Sequence, residues 1–308
     1  MKNKIQSKTN ENKAIIAVLL GNSIFGLSFL FSKLALEITI PSVLIAVRFS
    51  VAFLVLNIIV LVGRKIKKAD GTPLVEFSLK GKPKKDILLL SLFQPVIYYV
   101  AENYGIVYTS SAFAGVIIAV IPIAGVIFDM LIMHSKVSAK QIIFAVFSVV
   151  GVAITTLGAE NMTSSVKGVI FLLIAVVASA MFYVFSKKSG DSYNAIERTY
   201  VMFLIGSIFY IILSVIQCYG HYDTLVFSAL AQPTFWYSII YLSVVSSVIA
   251  FLLLNYGSSR ISISRATIFA NITTVISILA GVLVLGESFT IGQIIGAVII
   301  IVSVYLAQ

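Results

Sequence analysis

Cysteine, histidine and charge are all scarce in this 308-residue chain. Its one cysteine, Cys218, excludes an intrachain disulfide and any cysteine metal cluster. The two histidines, His134 and His221, fall on opposite faces in the topology derived below, so they share no metal. Charged residues make up 11% of the chain, against roughly 25% in an ordinary soluble domain. The sequence has no G-x-x-x-x-G-K-[ST] phosphate loop, no H-E-x-x-H and no nucleophile elbow. Direct ATP hydrolysis by that loop and the common hydrolase chemistries are therefore excluded, and no cofactor is implied.

What is present is apolar. Hydrophobic residues make up 59% of the chain and mean hydropathy is +1.06. Those values exclude a cytoplasmic enzyme of ordinary composition, a disordered chain and a secreted disulfide scaffold. They leave an all-α membrane protein crossing the bilayer many times. Apolar runs bounded by charge, Gly or Pro give ten expected spans: 14–32, 42–62, 87–107, 110–133, 140–158, 166–186, 196–216, 236–256, 263–285 and 290–307. Backbone amides in lipid need internal partners, and runs such as Val298–Val302 show no barrel alternation, so the spans are helices. The basic start followed by an apolar run resembles a signal peptide. The run continues to Phe31, though, and is read as a retained first span.

Orientation follows from Lys and Arg. With the N-terminus inside, nineteen of the 22 lie on the cytoplasmic side and only Lys33 and Lys167 outside, while Arg48 is within a span. Both termini are thus expected inside, in the cytoplasmic membrane. The formal charge of +10 becomes topological, with no nucleic-acid partner implied. The loop 63–86, with eight basic residues, is expected to be solvated against the lipid surface.

The chain repeats itself. Phe31-Ser32-Lys33 recurs as Phe185-Ser186-Lys187, Arg48 as Arg198, Asn103-Tyr104-Gly105 as Asn255-Tyr256-Gly257, and Gln141 as Gln293. The offsets stay between 150 and 154 residues. The expected organisation is a tail (1–13), a first five-helix repeat (14–158) and a second (159–308). An odd number of spans per repeat inverts the second half in the bilayer. Such repeats place a solute site near the midplane, where the halves meet.

Several of these residues are family signatures. Gly26-Leu27-Ser28-Phe29 with Lys33, Pro41 with Arg48-Phe49, Thr109-Ser110-Ser111-Ala112, Pro122, and Gly286-Glu287 together resemble the EamA branch of the drug/metabolite transporter superfamily. The resemblance implies a ten-helix carrier of small metabolites or drugs, commonly working outward. The chain departs from the pattern at Phe25, where tryptophan is common, at His134-Ser135 in place of Gly-Glu, and at Thr274 where a proline would mirror Pro122.

Ionisable groups inside spans are the clearest functional pointers, because each costs roughly 2.5 kcal/mol or more at the centre of a span. Arg48 and Glu102 lie at similar depths, ~9 and ~8 Å from the outer ends of their spans at 1.5 Å per residue. Their pairing is expected, either as a structural bridge or as a solute site. In the second case Glu102 is the proton-coupling or amine-binding candidate and Arg48 the carboxylate anchor. Asp129 lies near the cytoplasmic end of its span, where its carboxylate reaches the interface. Gln94, Tyr98 and Glu102 follow one another at i, i+4 and i+8 on one helical face. Asn22, Gly26, Phe29 and Lys33 line a face of span one. Ser264, Thr267, Asn271 and Thr274 line a face of span nine, opposite the small residues Ala112, Gly115, Ala119 and Pro122 of span four. Asn22, Arg48, Gln94, Tyr98, Glu102, Asn271 and Thr274 are the candidate solute-binding residues. Pro122 is either a hinge or a static kink, since its ring leaves the carbonyl of Ile118 without a donor. Gly292 and Gly296 allow a close helix approach, within the chain or to a second copy, so a monomer and a homodimer both stay open. The functional readings are a secondary carrier driven by a proton or solute gradient, an uncoupled exchanger or facilitator, and a membrane enzyme or scaffold without transport.

Overall fold

The computed structural model describes residues 2–68, 71–133, 138–140, 143–144, 146–147, 150–151, 154, 162–261, 266, 269–288 and 290–306. Within these ranges the side chains of 2–10, 129, 133, 162–165, 271 and 304 are outside the description. The described chain is helical throughout, with one isolated bridge, Lys67 to Pro73, in the loop after the second helix. In chain order the helices are α1 (Lys2–Leu36), α2 (Pro41–Lys65), α3 (85–108), α4 (111–133), α5 (Met162–Ser189), α6 (Ala195–Gln217), α7 (Pro233–Ser258), α8 (Asn271–Leu285) and α9 (Ile291–Leu306). The expected span over 140–158 lies largely outside the described residues.

Among the described residues six helices are long and apolar enough to cross a bilayer: Glu11–Leu36, Pro41–Lys65, Ser111–Ile132, Val166–Ser189, Ala195–Gln217 and Pro233–Ser258. Their 22 to 26 residues reach about 33–39 Å, enough for a hydrocarbon core of ~30 Å. Their outer faces stay apolar and exposed, as Leu54, Ile58 and Leu61 do on α2 and Ile208, Ile212 and Val215 on α6. Those faces suit lipid. The first helix begins well before residue 14, because the polar stretch before the apolar run continues its backbone ladder. Hydropathy marks only the apolar part.

Three helices are interrupted. In α3 the segment Leu92–Ile97 is wound wide and Gln94 is extended (φ −143°, ψ 117°), since Pro95 supplies no amide to continue the helix. In α4 the helix stops at Ile118 and restarts at Ile121, one residue before Pro122. The predicted kink is present. In α7 the stretch Tyr241–Ile249 is π-wound without a proline. Such wide turns concentrate at functional places in helices.

Packing is reciprocal. Helix α1 lies against α7 and α8, while α5 lies against α3 and α4; α2 packs on α6, and α4 on α8. Gly26 of α1 permits its approach to α8, where a Cβ would stand 2.6 Å from Cβ of Ile276.

The loops sort into two ends. At one end Thr39 donates to the Leu225 carbonyl (2.6 Å), and the Glu287 carboxylate accepts from the Ser111 amide (2.9 Å), the Ser111 hydroxyl (2.9 Å) and the Ala112 amide (2.8 Å). Glu287 thereby caps the start of α4. It is delivered there by Gly286, whose left-handed backbone (φ 66°) ends α8. At the other end the loop 63–86 is largely exposed, as expected, but is tied at several points to the start of α6. Lys82 pairs with Glu197 (2.5 Å), the Ser78 amide reaches the same carboxylate (2.8 Å), and Tyr193 donates to the Pro83 carbonyl (3.1 Å). Glu197 also closes a capping box with Asn194, which explains why the loop has a fixed dock. Gln293, one of the repeated residues, accepts from the Thr290 amide (2.9 Å) and so caps α9.

Candidate functional site

The break in α3 turns Gln94 into the bundle. Its side chain is 3% exposed and its Oε1 has no hydrogen-bond partner. A buried acceptor left this way costs ~1–3 kcal/mol, so its retention calls for a reason. One helical turn on, the Tyr98 hydroxyl donates to Glu102 Oε1 (3.0 Å), and Asn103 Nδ2 donates to Glu102 Oε2 (3.3 Å). Glu102 thus sits behind Tyr98, held by neutral donors. From α1, Asn22 donates to the Val18 carbonyl (2.8 Å) and accepts from the Tyr183 hydroxyl of α5 (3.4 Å). Thr273 of α8 donates to the Asn22 carbonyl (2.9 Å).

These groups surround one enclosed cavity. Asn22, Phe25, Gln94, Tyr98, Ile118 and Ile121 line it from the first half of the chain. Ser179, Phe182, Tyr183, Leu254, Ala270 and Thr273 line it from the second. The room for water centres is about 20 Å³, enough for a water or two and too little for a metabolite. The site is therefore closed. Two wider grooves, about 320 and 480 Å³, lie among Val43, Val47 and Val215 and among Phe93, Ile170 and Leu173. Both are almost wholly apolar and flank lipid-suited faces, so the smaller polar cavity is the candidate site. Its polar lining consists of carboxamides and hydroxyls, and no basic side chain is among them.

Arg48 is buried beside this cavity but does not line it. Its Nε donates to Ser247 (3.0 Å), and its Nη2 donates to Ser246 (3.0 Å) and to the Tyr99 hydroxyl (3.1 Å). The guanidinium lies 4.3 Å from the centre of the Tyr99 ring. The expected ion pair with Glu102 is not formed. Lys82–Glu197 is the ion pair among the described residues. Equal depth matched the two residues, but the guanidinium turns toward the hydroxyls exposed where α7 is π-wound. Its anchoring role for a carboxylate loses its geometry, because its hydrogen bonds go to protein.

Other expectations resolve separately. Thr274 is buried and donates to the Gly115 carbonyl (2.8 Å), joining α8 to α4. At Thr274 the polar face meets the small face as direct packing, and the neighbouring Thr273 reaches the cavity. The side chains of Asn271 and Asp129, and the residues Ser264 and Thr267, lie outside the description. Gly296 lies against Gly151, where an added Cβ would come within 3.0 Å of its carbonyl, so this face of α9 is packed within the chain. Sequence reasoning missed Phe25, Ser179, Phe182, Tyr183, Ser246 and Ser247. One signal was available: the 154-residue offset that equates Phe31 with Phe185 also equates Phe25 with Ser179, and both line the cavity.

The EamA-like transporter family matches twice, over 12–157 and again over 166–307. The chain belongs to the EamA-like transporter family. It is 32% identical over 301 residues to the uncharacterized transporter YcxC of Bacillus subtilis (strain 168), covering 96% of this chain and 93% of that one. An uncharacterized transporter of Archaeoglobus fulgidus is 24% identical over 294 residues, covering 96% and 98%. A solved crystal structure superposes with a TM-score of 0.66 at 16% identity over 96% of each chain, a likeness of fold alone. This EamA-like chain is therefore a transporter and not an enzyme, built of apolar helices that cross a membrane several times.

Proposed function

We propose that this EamA-like protein is a secondary carrier of small organic solutes, with its site in the closed cavity between the two halves. The observation that carries the reading is the cavity itself, with six lining residues from each half and the unpartnered Gln94 oxygen among them. In this reading ten helices form two inverted five-helix halves that expose the cavity alternately to each side. Reciprocal packing supports the inversion: α1 against α7 corresponds to α5 against α3 once the halves are exchanged, and α1 against α8 corresponds to α5 against α4. The two-ended sorting of the loops supports the topology with both termini on the cytoplasmic side of the cytoplasmic membrane. The break at Pro122 serves as a hinge. Export is the direction the family resemblance favours.

The lining favours a solute with an N–H donor and an apolar body. Gln94 Oε1 is a free acceptor, Asn22 Oδ1 receives a long bond, and Phe25, Phe182, Tyr98 and Tyr183 supply rings that attract a cation. Glu102, one residue behind through Tyr98, is the proton-coupling group.

Ligand-induced thermal shifts across amines, amino acids, nucleosides and drugs, followed by flux into liposomes, test this. Amines are expected to stabilise the protein and simple carboxylates are not. Flux is expected to depend on a pH gradient and to lose that dependence in Glu102→Gln. Flux indifferent to the gradient in the unaltered protein would assign uncoupled exchange instead. Silence across the panel would remove the carrier reading.

A further inference from the structure

Three of the four repeated motifs of the second half meet at one point. Arg198 of α6 donates through Nη1 to the Ser186 carbonyl (2.6 Å) and hydroxyl (2.9 Å) of α5, and through Nη2 to the Asn255 carbonyl of α7. The Ser186 hydroxyl donates in turn to Asn255 Oδ1 (3.4 Å). The next residue, Lys187, donates to the carbonyls of Ser259 (3.2 Å) and Ile261 (3.3 Å). Three helices are tied together at the end where the loop 63–86 docks.

The same motifs in the first half are apart. Arg48, the counterpart of Arg198, donates to Tyr99 and to Ser246 and Ser247 of the other half. Ser32, the counterpart of Ser186, is buried with its Oγ unpartnered, and Asn103, the counterpart of Asn255, is buried with its Oδ1 unpartnered. Partners are therefore missing at the two positions whose equivalents are joined across the repeat. Unpartnered buried atoms occur elsewhere too, Arg198 Nε and Ser42 Oγ among them, so the pointer to a second arrangement is that Ser32 and Asn103 lack partners at the two positions whose equivalents bond to each other.

We propose that Arg198–Ser186–Asn255 and Arg48–Ser32–Asn103 are two alternating gate latches, the first closed and the second open in this structure. When the carrier changes sides, Arg198 leaves Ser186 and Asn255, and Arg48 leaves Ser246 and Ser247 to engage Ser32 and Asn103. This rests on the alternating-access reading. A ligand site for Arg48 is not needed by it, because both arrangements hold the guanidinium on protein groups.

The test uses single-cysteine reporters in a Cys218→Ser background: Ser189→Cys at the latched end of α5 and Ser42→Cys at the opposite end, on α2. Both positions are buried here. Labelling by a membrane-impermeant thiol reagent, in vesicles of each orientation, follows the population that opens each end. Ser186→Ala weakens the closed latch and is expected to raise Ser189→Cys labelling roughly tenfold, the weight of one charge-assisted hydrogen bond. Ser32→Ala removes a hydroxyl that bonds to nothing here, so a merely structural role predicts no change. The latch predicts that it lowers Ser189→Cys labelling by a similar factor and raises that of Ser42→Cys. Silence in Ser32→Ala, or a shift in the same direction as Ser186→Ala, overturns the proposal. Because the readout needs no solute, flux with a silent Ser32→Ala would leave the carrier standing without the latch. Opposite shifts without flux would leave the two-state device without the carrier.

Discussion

Replacing Gln94 by leucine separates a binding group from a structural one by lowering function while leaving the stability of the empty protein nearly unchanged. Gln94 is 3% exposed, and its Oε1 lacks a partner. An unsatisfied buried acceptor costs ~1–3 kcal/mol. Leucine removes that acceptor, but it also loses the side-chain hydrogen bond between Gln94 and Tyr99, worth about 1 kcal/mol, and its change of shape costs about 1 kcal/mol more. The balance is close to zero for the empty protein, so for a chain of this size Tm moves by less than roughly 2 °C. The solute loses a hydrogen bond at the same time, which for a charged donor weakens binding by roughly tenfold or more. The single buried cysteine, Cys218, provides the assay, since a thiol-reactive dye reports its exposure as the detergent-solubilised protein unfolds. Expected are a nearly unchanged midpoint without solute, a smaller shift with it and slower liposome flux. A lower midpoint with unchanged flux would refute the reasoning and make Gln94 a packing residue.

Other substitutions test the surrounding framework. Glu287→Ala leaves the Ser111 and Ala112 amides without their acceptor and should cost about 1–2 kcal/mol, the worth of a helix cap, read as a lower midpoint in the same dye assay. Glu197→Ala releases the docked loop 63–86, so trypsin should cut at Lys80–Lys85 several-fold faster in inside-out vesicles. Lys82→Ala alone should have a small effect, because Lys82 is 27% exposed. Arg48→Ala strips Tyr99, Ser246 and Ser247 of their shared donor and should lower both the midpoint and flux, whereas Arg48→Lys, which keeps the charge, should recover part of each. Glu102→Gln should leave the protein folded, with flux no longer responsive to a pH gradient.

The spans were legible because hydrocarbon demands long apolar runs, and α2, α5 and α6 fall within a few residues of where hydropathy puts them. Their interruptions were less so. Pro122 announced the break in α4, and Pro95 carried the same signal in α3, where attention to the i, i+4 series through Gln94 hid it. The wide turn in α7 has no proline, but its Ser246 and Ser247 stand 152 residues after Gln94 and Pro95, the offset of the repeat. Depth along a helix could be counted from sequence, which made Arg48 and Glu102 look like partners. Azimuth could not, and it sends Arg48 to hydroxyls nearly two hundred residues away. Tyr98 and Gln94 were legible as a polar face. Their facing groups, Tyr183 and Thr273, were not, because a single hydroxyl in an apolar helix reads equally well as packing. The tie that holds the loop 63–86 escaped for a related reason: its lysines are largely solvated, and nothing in such a run marks Glu197 as the carboxylate that fixes one of them.

The claim beneath the whole account is that solute enters the cavity shared by the two halves. Solving the structure with an amine that stabilises the protein tests it most directly. The account predicts the solute enclosed between Phe25, Tyr98, Phe182 and Tyr183, with an N–H within hydrogen-bond distance of Gln94. A solute lodged in the apolar grooves beside Val215 or Phe93, with the central cavity still closed, would contradict it.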